Sequence, residues 1–127
     1  MRHIEQYFSL MIRTLRRSIA VDDKVTYTAD SPLTGTVDGT LYFHDGSRLE
    51  FTEQVSLQAR RPVKRIYRYQ YIQKKRSIFR YDNAPHYPQL LTFPHHKHVE
   101  GRVIATEEPT LKQVLDEVAD LIAQGEF

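Results

Sequence analysis

Arg65-Ile66-Tyr67-Arg68-Tyr69-Gln70-Tyr71-Ile72 alternates strictly along the chain. Successive side chains of a strand point to opposite faces, and aromatic and β-branched residues favour strands. Tyr67, Tyr69 and Tyr71 therefore share one face, and Ile66, Arg68, Gln70 and Ile72 the other. Working outward, Val63 to Gln73 reads as one strand, and Ser77 to Tyr81 as the next, joined by the charged turn Gln73-Lys74-Lys75-Arg76. Upstream, Lys24 to Thr28, Thr36 to His44 and Arg48 to Ser56 read as three earlier strands. Asp30 to Gly35 separates the first two as a turn or loop. Gly39 is a candidate bulge, and Asp45-Gly46 is a strong hairpin signal. Ile4, Tyr7, Phe8, Met11, Ile12, Leu15 and Ile19 recur at helical spacing, which predicts a helix over residues 3 to 18. Near the other end, Thr110 and Gln113 form a capping box for a second helix. Its apolar face is Leu111, Val114, Leu115, Val118, Leu121 and Ile122, and Gly125 ends it. Residues 84 to 94 hold Pro85, Pro88 and Pro94 and read as a stiffened loop. His95 to Ala105 reads as a short extended segment. The expected fold class is α+β: a single antiparallel, meander-like sheet of about five to six strands with an N-terminal and a C-terminal α-helix packed on it. Residues 1–127 form a single domain.

A chain of 127 residues with 40% hydrophobic and 11% aromatic content can bury one core. Without Cys it has neither disulfides nor thiolate metal sites. No apolar run has the length of a membrane span, and the first residues lack the pattern of a secretory signal. The expectation is a soluble, cytoplasmic protein with no membrane partner. The net charge of +2 conceals a segregation. Gln54 to Tyr81 contains no acid and carries nine of the 18 Lys and Arg, whereas Val99 onward has seven acids against Arg102 and Lys112. Such a block repels itself unless an anion lies nearby, so nucleic acid or an acidic protein face is the expected partner. The acidic back of the second helix, Asp116, Glu117 and Asp120, reads as a solvated face, a dock for a basic partner or a screen for the basic sheet.

Two readings of the tyrosine strand stand side by side. Tyr67 and Tyr69 can stack bases while Arg65, Arg68, Lys74, Lys75 and Arg76 hold phosphates, with Asn83 beside them as a nucleic-acid contact. Alternatively the tyrosines pack on the sheet and the cations are solvated.

A second concentration of chemistry follows. Phe79-Arg80-Tyr81-Asp82-Asn83-Ala84-Pro85-His86 and Phe93-Pro94-His95-His96-Lys97-His98 place four of the six histidines within thirteen residues. Imidazole exchanges protons near neutral pH, and Arg or Lys holds an anion. In an extended chain His96 and His98 share a face, while His95 and Lys97 point away from it. The candidate catalytic residues are His86, His95, His96, His98, Asp82, Arg80 and Lys97. Two histidines serve as acid and base, Arg80 or Lys97 holds the phosphate, and Asp82 orients an imidazole. That set fits RNA cleavage through the 2′-OH with no cofactor. His96 and His98, joined by His86 or Asp82, are the metal ligands if a metal is used, but Lys97 would repel a cation there. The plainer reading is a polar loop whose histidines satisfy backbone groups. His44-Asp45 reads as part of its turn. There is no Gly-rich phosphate loop and no Gly-x-Ser-x-Gly motif.

The double motif Ile78-Phe79-Arg80-Tyr81-Asp82-Asn83-Ala84-Pro85-His86 and Thr92-Phe93-Pro94-His95-His96-Lys97-His98, with Tyr67-Arg68-Tyr69 before it, resembles the TumE family. It covers roughly residues 66 to 99. The family comprises small toxins of prokaryotic toxin–antitoxin pairs. The resemblance implies a cognate antitoxin with a helix-turn-helix domain, and by analogy with other small basic toxins a ribonuclease acting on RNA. The family commonly has a second His where this chain has Tyr87, which shifts weight to His86. A non-catalytic nucleic-acid- or protein-binding module and a metal-dependent nuclease or phosphoesterase are the alternatives. Homo-oligomerisation stays open.

Overall fold

The computed structural model describes residues 1–125. Helix α1 (Ile4–Arg16) is followed by strands β1 (Asp22–Ser31), β2 (Thr34–Tyr42), β3 (Arg48–Gln58), β4 (Arg61–Gln73), β5 (Arg76–Asp82), β6 (His96–Val99) and β7 (Arg102–Ala105), and then by α2 (Leu111–Gln124). The strands form one antiparallel sheet in chain order, a pure meander.

Seven strands replace the five to six expected. His95 to Ala105 is not one extended segment but most of a hairpin, with Val99 paired to Arg102 across Glu100-Gly101. Glu100 (φ 52°) and Gly101 (φ 72°) both lie in the left-handed region, as a tight two-residue turn requires. Two other turns place non-glycine residues there: Ala59 and Arg60 between β3 and β4, and Lys74 and Lys75 between β4 and β5. The first turn is tighter than expected, since Ser31 already pairs with Thr34. Gly39 is not a bulge, because it stays in register between Val25 and Phe51. It is needed for close approach instead, as a Cβ there would lie 2.5 Å from the Lys24 carbonyl oxygen. The bulges fall at Ala29/Ser31, Gln54/Val55 and Tyr71/Ile72.

Both helices lie on the same face of the sheet. The α1 stripe Ile4, Tyr7, Phe8, Met11 and Leu15 is buried, as are Leu111, Val114, Leu115 and Val118 of α2. They pack on the sheet face made by Val37, Leu41, Leu49, Phe51, Val55, Phe79 and the tyrosines of β4. Thr110 caps α2, accepting from the Gln113 N–H at 3.1 Å while its own N–H donates to Gln113 Oε1 at 2.9 Å.

One charged group lies within this core. Glu53 is fully buried and accepts from the hydroxyls of Tyr7 and Tyr69. Lys64 Nζ stands 3.9 Å from it and donates to Tyr69 Oη (2.7 Å) and to the Pro109 carbonyl oxygen (2.5 Å). The network joins α1, β3, β4 and the start of α2. Burial, with the Glu53 carboxylate second, pushes the Tyr7 and Tyr69 hydroxyls far above the usual phenol range, so both stay donors. No helix among the described residues is long and apolar enough to cross a membrane.

Two stability outcomes follow. Glu53→Ala leaves two buried hydroxyls without their acceptor and the Lys64 ammonium without its counter-charge, and urea denaturation should show a loss of about 3–5 kcal/mol. Replacing Lys74-Lys75 by Asn-Gly puts the two residues that best tolerate the left-handed region at those positions, and the urea midpoint should rise, by about 1 kcal/mol of stability.

Candidate functional site

The face of the sheet away from the helices is open, and the second motif of the sequence meets there. Antiparallel pairing sets Arg68, Asp82 and His96 in one row across β4, β5 and β6, and Gln70, Arg80 and His98 in the next. All but Gln70 line a cleft of about 700 Å³, which also takes in His86, Tyr87 and Phe93 from the Pro-rich loop.

Asp82 is the hub. Its Oδ1 accepts the Ala84 N–H at 3.0 Å and faces His96 Nε2 at 2.9 Å. Its Oδ2 accepts Arg80 Nε at 2.9 Å and lies 3.7 Å from His98 Nε2. His96 is 1% exposed, and its Nδ1 points at the Pro94 carbonyl oxygen at 2.9 Å. A carbonyl only accepts, and a carboxylate already holding two donors is an acceptor as well. Both nitrogens of His96 therefore donate, and His96 has no lone pair to offer a substrate. It braces Asp82 and ties the end of the loop to β5.

His98 is in the opposite condition. Arg80 Nη2 lies 2.9 Å from its Nε2. A guanidinium only donates, so Nε2 carries the lone pair and the ring is neutral. Burial first, then the nearby Arg80 charge, pulls the His98 imidazole below its ordinary range, against the opposing pull of Asp82. Its side chain is 26% exposed and open to the cleft. Tyr87, which the sequence reading passed over as a site residue, packs edge-on against both rings, 4.8 Å from His96 and 5.8 Å from His98. The signal in the sequence was its place next to His86, which is exposed at the cleft rim.

Several expected site residues lie elsewhere. Lys97 is on the helix side of the sheet, where it pairs with Glu117 at 2.6 Å over the rings of Phe79 and Tyr81. It cannot hold a phosphate beside His98. Of the acidic back of α2, Glu117 is thus turned to the sheet, whereas Asp116 pairs with Lys112 of its own helix. His95 also leaves the cluster, its Nδ1 meeting Tyr67 Oη at 2.9 Å with the rings stacked. Tyr67 and Tyr69 are 1% and 0% exposed, so no base can stack on them. Asn83 is no free nucleic-acid contact either. Its Oδ1 accepts the Tyr67 N–H (3.0 Å) and its Nδ2 donates to the Arg65 carbonyl oxygen (2.9 Å). The amide thus extends the β4–β5 ladder by one rung and fixes the start of the loop. Lys74, Lys75 and Arg76 are exposed at the β4–β5 turn, six residues and about 20 Å along the strand from Arg68. Arg65 and Arg68 line the cleft and make no ion pair among the described residues.

Of the two metal trios the sequence allows, one comes together. Asp82, His96 and His98 bring ligand atoms within 4.8 Å of one another, and His86 is not among them. The position a cation would take between Asp82 and His98 is bridged by the Arg80 guanidinium. With both His96 nitrogens donating, the cluster as it stands suits an anion more than a metal ion.

His98 reports on this arrangement directly. In an NMR titration, Arg80→Gln should raise its midpoint and Asp82→Asn should lower it, the signs set by the two charges.

Among comparisons with known proteins, no curated protein and no solved structure matches the chain. The family described as Toxin TumE matches residues 10–125, from within α1 to the end of α2, and so spans the whole sheet and the cleft as well as the double motif. Sheet, cleft and motif all fall within that match, and the chain belongs to the TumE toxin family.

Proposed function

We propose that this toxin is a metal-independent ribonuclease whose active site is the cleft on the open face of the sheet. The observation that carries the reading is the neutral His98 held by Arg80 beside a buried Asp82–His96 pair. An incoming phosphate draws the Arg80 guanidinium to itself, since a phosphate is a stronger acceptor than an imidazole. That frees the His98 Nε2 lone pair. His98 then takes the proton of the ribose 2′-OH as the oxygen attacks phosphorus. The 5′-oxygen leaves with a proton from His86 at the rim, and a 2′,3′-cyclic phosphate remains. Asp82 keeps Arg80 and His98 in place, and His96 keeps Asp82 in place. Arg65 and Arg68 attract the polyanion, with Lys74, Lys75 and Arg76 supplying a more distant contact. Lys97 and His95 have no part in the chemistry.

The partner in this reading is a cognate antitoxin with a helix-turn-helix domain, and the site of action is the cytoplasm. A toxin family implies an antitoxin in general; the type of domain follows only from the resemblance noted above.

One observation favours a second reading. His96 donates through Nδ1 to a backbone carbonyl, which is how a metal-ligating histidine is commonly oriented. If Arg80 moves aside and His96 Nε2 gives up its proton, Asp82, His96 and His98 could hold Mn²⁺ or Zn²⁺ as a two-His, one-carboxylate set. Activity lost to a chelator and restored by either ion would select this reading.

His98→Ala and Arg80→Ala should each abolish growth inhibition and reduce cleavage of total RNA by about a hundredfold or more, with the thermal midpoint little changed. Lys97→Ala should keep the cleavage rate within a few fold once folded protein is compared. Full activity in His98→Ala would remove the proposed base.

A further inference from the structure

We infer that the cleft takes a single unpaired nucleotide, with its base against Phe93 and Ile66 and its phosphate at Arg68 and Arg80. The inference rests on the ribonuclease reading for the identity of the polyanion, and it adds the substrate class: single-stranded RNA rather than duplex.

Phe93 is 44% exposed and Ile66 is 53% exposed. Both line the same cleft as Arg68, Arg80 and His98. Two large apolar side chains exposed within one cleft, beside a charged cluster, form the kind of patch that commonly marks a binding surface. Ile66 lies two residues before Arg68 on the open face of β4, so this strand alone supplies both an apolar wall and a phosphate contact. Phe93 comes from the Pro-rich loop and does not hang loose. Its N–H donates to the Leu90 carbonyl oxygen at 3.1 Å. Next to it, Thr92 Oγ1 donates to the His95 carbonyl oxygen at 2.8 Å and accepts the Thr106 N–H at 3.0 Å. The loop therefore presents the ring on a fixed support, which reduces the ordering cost of binding.

The shape also selects the strandedness. About 700 Å³ falls within the usual range of small-molecule pockets. Paired bases hide their faces in the stack, so only an unpaired base can lie against an aromatic ring. With Tyr67 and Tyr69 buried, Phe93 takes the stacking role the sequence had suggested for them. Stacking tolerates any base, so weak sequence preference is expected.

Fluorescence anisotropy with a labelled 2′-fluoro RNA oligonucleotide, which cannot be cut through a 2′-OH, separates binding from chemistry. The single strand should bind at least tenfold more tightly than the same strand in a duplex. Phe93→Ala should weaken single-strand binding by about tenfold without changing its salt dependence, because no phosphate contact is lost. Phe93→Trp should restore it, and Ile66→Ser supplies an independent variant of the same wall. Equal affinity for duplex, or single-strand affinity unchanged in Phe93→Ala and Ile66→Ser, would overturn the inference. If the binding pattern holds but unmodified RNA is never cut, the ribonuclease reading fails and the nucleotide site stands. If RNA is cut and both wall variants bind normally, the reverse holds.

Discussion

A carboxylate with no access to water pins the central strands from beneath. Glu53 takes the hydroxyls of Tyr7 and Tyr69, so it fixes α1 against β3 and fixes which face of β4 is inside. Strand side chains alternate, and the consequence is strict. With Tyr67, Tyr69 and Tyr71 turned to the helices, Arg68 and Gln70 must face outward. Registration then carries the choice to Asp82 and Arg80 on β5, and to His96 and His98 on β6. A slip of one residue on β6 would exchange His98 for Lys97 and dismantle the cleft.

The two faces divide the cations between them. On the helix side, Lys64 is placed with Glu53, and Lys97 with Glu117. On the open side, Arg80 meets Asp82, and Arg65 and Arg68 make no ion pair among the described residues. The acid-free block is therefore not a uniform basic surface. One of its cations, Lys64, is structural, Lys74, Lys75 and Arg76 sit at a distant turn, and Arg65 and Arg68 are left in the cleft of His98, whose Nε2 lone pair is held by Arg80. In the proposed reaction, segregation of this kind would position a polyanion relative to His98 rather than merely attract it.

Much of the fold was legible because its signals are local. The helix stripes, the Thr110 capping box and Asp45-Gly46 each depend on a few neighbouring residues. The seventh strand was not, because the hairpin around Glu100-Gly101 has little alternation and puts a Glu at a left-handed position. For the site, the alternation of β6 correctly separated His96 and His98 from His95 and Lys97, yet all four stayed candidates on proximity in sequence. The partners that decide their roles, Glu117 and Tyr67, are 20 and 28 residues away in the chain. The inside face of β4 was equally undetermined locally. Tyrosine suits both a core and a stacking surface, and only the apolar stripes of α1 and α2, which need a sheet face to cover, settle which one it lines. Asn83 shows the same limit, since its amide completes a ladder that exists only after β4 and β5 have paired.

The most direct test of the account is the chemistry of the cut ends. Purified wild-type protein should be incubated with RNA in the presence of EDTA and the products analysed. A neutral His98 acting on the 2′-OH predicts cleavage that persists in EDTA and leaves 2′,3′-cyclic phosphate and 5′-hydroxyl ends. Products bearing 3′-hydroxyl and 5′-phosphate ends, or no products at all, would contradict it.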